Sequence, residues 1–153
     1  MKTYADFVTD SLPLIQQIFP WDLAEQISVR SELLLVDVRE PAEFCTAHIA
    51  DSINIPRGIL EAAASWNYDE TEPRLVTARR IPVVLICRSG NRSALAALTL
   101  KAMGFQNPIA LKTGLRGWND CELQLVDASG NVVNIDAAEE YFTSRVRPDQ
   151  LQP

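Results

Sequence analysis

The chain has 153 residues, 47% of them hydrophobic and 22% charged, with a formal net charge of −6. This is ordinary composition for one globular domain with a substantial core, and the acidic balance argues against nucleic acid or an anionic membrane surface as partner. No run approaches the roughly 18 apolar residues of a membrane span. Asp6, Asp10, Gln16 and Gln17 interrupt any signal-peptide core. Cys45, Cys87 and Cys121 cannot all pair and lack Cys-x-x-Cys zinc spacing, so reduced thiols in a cytoplasm are the simplest reading.

Residues 1–20 carry apolar side chains at helical spacing: Tyr4, Phe7, Val8, then Leu14, Ile15 and Ile18. They predict an arm of one or two short helices, broken near Pro13 and ended by Pro20. Asp22 and Glu25 have capping-box spacing ahead of Ile27, which predicts a further short helix. Leu33 to Val38 reads as the first core strand, with Asp37 near its end and Arg39 just beyond. Pro41 sits at the tolerated first turn of the next helix. A short strand is expected at Ile53–Pro56 and helical structure over Arg57–Trp66. A polar connection follows from Asn67 to Arg80.

Ile81 to Ala97 organises the rest. Val83, Val84, Leu85 and Ile86 form an apolar, β-branched run behind Pro82, the pattern of a strand buried on both faces. Cys87 opens the polar loop Arg88-Ser89-Gly90-Asn91-Arg92. From Ser93 an Ala- and Leu-rich helix is expected to reach Met103, with Gly104 just past its end. A cysteine is thereby set at the carboxyl end of a buried strand, facing a helix start, where open α/β sheets hold ligands. Successive backbone N–H groups in such a loop, with Arg88 and Arg92, favour an anion on sulfur. The alternative is an inert cysteine at a strand end. Pro108 to Leu111 predicts the last strand. Two apolar runs around Ser129-Gly130-Asn131 predict a small hairpin, and Asp136 to Arg145 a final helix with Asp136 and Glu139 as its capping box.

The loop CRSGNRS resembles the active-site loop of single-domain rhodaneses. LLLVDVREPAEF (Leu33–Phe44) with AHIADSINIP (Ala47–Pro56) resembles that family's first signature, and GFQNPIALKTGLRGW (Gly104–Trp118) its closing one. The resemblance implies a rhodanese-like three-layer α/β domain over residues 21–121, a central, mainly parallel sheet flanked by helices. Residues 1–20 would be an N-terminal helical arm and 122–153 a C-terminal extension packing on the domain. It implies a sulfurtransferase in which Cys87 takes the outer sulfur of thiosulfate or a persulfide. A thiol, cyanide or a protein sulfur carrier would then remove it. No metal or organic cofactor is implied, and the partner is a small sulfur-containing anion.

The substrate would meet Arg88, Ser89, Gly90, Asn91, Arg92 and Ser93, with Arg57 at the mouth of the site. Asp37 and Arg39 would hold the loop. His48, the only histidine, would have a structural hydrogen-bonding role instead of acting as a base for Cys87. The chain departs from the family at Ala47, Asp51 and Ser52, where glycine, glycine and alanine are usual, and at Thr113, where glycine is usual. Cys45 and Cys121 have no comparable anion-favouring surround and read as structural. Two other classes stand beside this reading. Phosphatases and arsenate reductases of similar fold use Cys-x5-Arg, whereas here Arg92 is the fifth residue after Cys87 and Ser93 the sixth. A non-enzymatic binding module of this family often lacks the cysteine.

Overall fold

The computed structural model describes all 153 residues. Five strands form one all-parallel sheet: β1 (Gln16–Ile18), β2 (Leu34–Asp37), β3 (Ile53–Asn54), β4 (Val83–Ile86) and β5 (Pro108–Leu111), in the order β1-β5-β4-β2-β3. All four residues of β4 are buried. Val83 and Leu85 join one hydrophobic cluster and Val84 and Ile86 the other. The period-two alternation of a strand thus feeds two cores, and this explains why β4 reads as continuously apolar.

The first core contains Leu60, Leu75, Ala96, Ala97, Leu100 and Phe105. They come from α4 (Leu60–Ala63), α5 (Pro73–Val76), α6 (Asn91–Ala102) and the turn after α6. The second contains Leu23, Leu115, Trp118, Ala138 and Phe142, from α2 (Pro20–Ser28), α7 (Gly114–Asp120) and α8 (Ile135–Phe142). The three layers and the parallel sheet are as the sequence implies. Chain connections leave β2 and β4 toward opposite edges, so the ends of these two neighbours form the switch point of the sheet.

The N-terminal arm differs from expectation. α1 (Tyr4–Ser11) and a 3₁₀ turn (Leu12–Leu14) are followed by β1, an edge strand not anticipated as one. Its Gln16 and Gln17 are exposed and only Ile18 is buried, so three residues carry no legible alternation. Pro20 opens α2 instead of ending a helix, with Asp22 in the first turn and no capping box. Helical structure over Arg57–Trp66 reduces to a 3₁₀ turn and α4, and the polar connection holds α5, which buries Leu75 and Val76. α6 begins at Asn91, two residues earlier than expected, because Gly90 turns the chain at φ +98°. Gly104 follows α6 at φ +88°, the conformation of a glycine helix stop.

In the C-terminal part, Val126 bridges antiparallel to both His48 and Val132, which makes the expected turn around Gly130 a minimal hairpin. α8 is capped by Asn134, whose side chain accepts from the Ala137 N–H at 3.0 Å, and not by Asp136. No helix is long and apolar enough to cross a membrane.

Candidate active site

Cys87 lies immediately after β4, 1% exposed. Its Sγ accepts from the backbone N–H of Gly90 at 3.1 Å and of Ser93 at 3.3 Å. The Ser93 hydroxyl lies 3.4 Å from Sγ and donates to the Gly90 carbonyl at 3.1 Å. Of the loop amides expected to cradle the sulfur, these two reach the atom itself. They stand at the start of α6, where unpaired helix N–H groups carry partial positive charge.

The loop is oriented from its other side by a contact with no sequence signal. The N–H of Leu115 donates to the Cys87 carbonyl at 2.9 Å, and that of Arg116 to the Arg88 carbonyl at 3.0 Å. These are first-turn donors of α7, with no partner inside their own helix. They hold the loop carbonyls away from the sulfur and leave N–H groups facing it. The approach is close: a Cβ on Gly114 would fall 2.5 Å from the Arg88 carbonyl atoms, and Gly114 itself is at φ +61°. Before it, Thr113 also adopts a left-handed conformation, φ +67°. Its side chain occupies the space a Cβ on Gly117 would need, with the Thr113 Cβ at 2.5 Å. At this departure from the expected glycine, a downstream glycine makes the room.

Asp37 and Arg39 form a fully buried ion pair. Arg39 Nη2 donates to Asp37 Oδ2 at 2.8 Å and Nε to Oδ1 at 3.0 Å. Nη2 also donates to the Ala47 carbonyl at 2.6 Å, which ties the end of β2 to the chain leaving α3 (Pro41–Thr46). Asn54 adds Nδ2–H bonds to the carbonyls of Asp37 and Arg39. The pair braces the strand ends beside the Cys87 loop and makes no hydrogen bond to the sulfur.

Glu43 of α3 reaches across to the loop. Both its oxygens accept from Arg92, at 2.8 and 2.9 Å. These bonds hold its carboxyl below the usual glutamate range against the opposing effect of burial, and the Arg39 charge assists. Arg92 is therefore committed to Glu43 and is not a free cation over the sulfur. Arg88 is half-buried, with its Nε enclosed and unpartnered within the chain. Ser89 and Asn91 are exposed at the loop surface. Arg57 pairs with Glu61 and donates to the Thr99 hydroxyl at 2.9 Å. Thr99 is eight residues along α6 from Asn91, about 12 Å at the helical rise, so Arg57 is held well down the helix from the Cys87 donors.

His48 Nδ1 is 2.8 Å from the Phe44 carbonyl, and its ring stacks on Phe44 at 3.9 Å between centroids. Its backbone pairs with Val126. These are fixed packing roles, and none of its hydrogen bonds leads to Cys87. Cys45 and Cys121 are exposed free thiols outside both cores. Sequence reasoning missed Glu43 as the partner of Arg92, although its place in REPAEF was visible. It also missed that α1, which carries Tyr4, packs on α6.

The family model for the rhodanese-like domain matches residues 21–121. A sulfurtransferase of Allochromatium vinosum is 26% identical over 76% of this chain and the whole of its own. An adenylyltransferase and sulfurtransferase of Aspergillus terreus is 33% identical over 56% of this chain. The chain spans 56%, 45% and 21% of the length of three curated relatives it matches. Among solved structures, a Rhodopseudomonas palustris protein of unknown function, described as a possible tyrosine phosphatase, superposes with a TM-score of 0.72 at 25% identity. The match covers 87% of this chain and 96% of that one.

Proposed function

The chain belongs to the rhodanese-like domain family, and from that membership and the surroundings of Cys87 we propose that it is a sulfurtransferase working through a Cys87 persulfide. The observation that carries the reading is the pair of backbone N–H groups, from Gly90 and Ser93, directed at a buried sulfur at the start of α6. A thiolate there attacks the outer sulfur of thiosulfate or of a small persulfide. A new S–S bond forms, the old one breaks, and sulfite or a thiolate leaves with the bonding electrons. The charge then rests on the outer sulfur of Cys–S–S⁻, beside the same N–H groups. A thiol, cyanide or a protein sulfur carrier attacks that outer sulfur and leaves Cys87 as the thiolate. Every electron pair is accounted for without a metal or organic cofactor.

Asp37 and Arg39 brace the strand end, Glu43 fixes Arg92, and His48 holds the turn after α3. The test is intact mass after incubating the reduced protein with thiosulfate, and separately with a low-molecular-weight persulfide. Gain of one sulfur atom, absent in Cys87→Ala, is expected. No gain with either donor overturns the proposal.

The resemblance to a possible tyrosine phosphatase makes phosphate ester hydrolysis the second reading. Against it, Arg92 is the fifth residue after Cys87, so the loop is one residue shorter than Cys-x5-Arg. No release of phosphate from an aryl phosphate is expected. Cys87-dependent release, without sulfur uptake, would put hydrolysis in first place.

A further inference from the structure

α1 lies outside the part of the chain matched by the family model, yet it packs along α6. The 3₁₀ turn that follows it is tied there by Lys101 Nζ donating to the Leu14 carbonyl at 2.6 Å. The first turn of α1 is fixed by a reciprocal cap: the Asp6 N–H donates to Thr3 Oγ1 at 3.2 Å and the Thr3 N–H to Asp6 Oδ2 at 2.7 Å. Leu14 follows α1 and sits by Lys101 at the end of α6, and because α1 packs along α6 it lies back from there toward the start of α6, so the two helices run in the same direction. Val8 and Ser11 are the buried residues of α1. Tyr4 precedes them at i, i+4 and i+7 spacing and so shares their face. The stripe that packs on α6 thus ends in Tyr4, 54% exposed, on the side of α6 that begins at the Cys87 loop.

We propose that Tyr4 is a specificity-determining residue of this site, its phenolic O–H donating to the anionic end of a sulfane-sulfur donor as the outer sulfur meets Cys87. The assignment rests on the sulfurtransferase reading above. The electrostatics agree with the placement. Burial, then the Cys87 charge, raise the phenol's pKa, while Arg92 and Arg88 pull it down less strongly. The phenol therefore remains a protonated donor at neutral pH, when it faces an anion. The Tyr4 hydroxyl makes no hydrogen bond within the chain and its side chain is exposed, so the donor is unspent. Arg92 feels the tyrosine reciprocally. Being committed to Glu43, Arg92 leaves the direct contact with the donor to a neutral group.

Tyr4→Phe removes one oxygen and keeps the ring. We expect the second-order rate of sulfur loading, followed by intact mass, to fall about tenfold, the effect of losing one hydrogen bond to a charged group. The thermal midpoint should not change. Tyr141→Phe, on α8, should load as wild type does. Equal loss with thiosulfate and with a small persulfide places the bond on the reacting sulfur, and loss with thiosulfate alone places it on the sulfonate. Either supports the assignment. Wild-type rates in Tyr4→Phe with both donors overturn it while leaving sulfur transfer standing. A wild-type protein that takes up no sulfur overturns both.

Discussion

At the scale of single residues, the site is a chain of charge commitments. Asp37 neutralises Arg39 in the interior, and Glu43, with Arg39 nearby, neutralises Arg92. Removing one member leaves a partner unpaired and partly desolvated. Glu43→Gln is expected to cost about 1 kcal/mol at neutral pH, a modest figure because both side chains keep a quarter or more of their exposure. The pH dependence has a definite sign. Glu43 titrates lower folded than unfolded, so its contribution is complete above the ordinary glutamate range and disappears as pH falls through the lowered folded value. Denaturation midpoints of wild type and Glu43→Gln should therefore differ at pH 7 and converge in acid. A gap that persists or widens in acid would mean that the ion pair is not its source.

At the scale of elements, two glycines with similar backbones separate strain from space. Gly104 and Gly114 both have positive φ, but a Cβ on Gly104 meets nothing within 4 Å while one on Gly114 meets the Arg88 carbonyl atoms at 2.5 Å. Gly104→Ala should cost about 1 kcal/mol, the strain alone. Gly114→Ala should cost roughly 2–4 kcal/mol and also slow sulfur loading, because the loop carbonyls must move. Equal losses of stability and unchanged loading in both variants would show that the close approach does not matter.

The same elements explain what could be read in advance. β2, β4 and β5 were legible because burial on two faces demands uninterrupted apolar residues. α6 was legible from its alanines and leucines, and the position of Cys87 followed from both. β1 was not, since two of its three residues face solvent. Nor was the role of α7, because backbone N–H groups meeting backbone carbonyls leave no trace in side-chain identity. Tyr4 and Glu43 escaped for a third reason: each acts across a tertiary contact, and sequence spacing does not encode which helices lie side by side.

For the molecule as a whole, the sheet separates two cores, and the C-terminal residues belong to one of them. Ala138 and Phe142 of α8 are buried against α7, and Asn119 Nδ2 donates to the Ile135 carbonyl at 3.0 Å. Phe142, 1% exposed, is a structural member of the layer that supports α7, and through α7 the Cys87 loop. Phe142→Ala should cost about 3–5 kcal/mol of global stability. The remaining folded fraction should still take up sulfur, since no atom of Phe142 reaches the site. Chemical denaturation followed by loading under native conditions checks both halves, and a small stability loss would mean α8 is an appendage.

The Thr113–Gly117 contact constrains the history open to this sequence. Thr113 stands in a left-handed conformation over a residue with no side chain, so the two positions cannot both be enlarged. Thr113→Gly should raise stability by about 1 kcal/mol by removing the strain. Gly117→Ala alone should be harmful, and the double variant should recover most of that loss, a coupling a double-mutant cycle would measure directly. Descent is then ordered: a lineage that carries threonine here must give it up before the glycine four residues on can change, and reversing the steps passes through a protein that folds poorly.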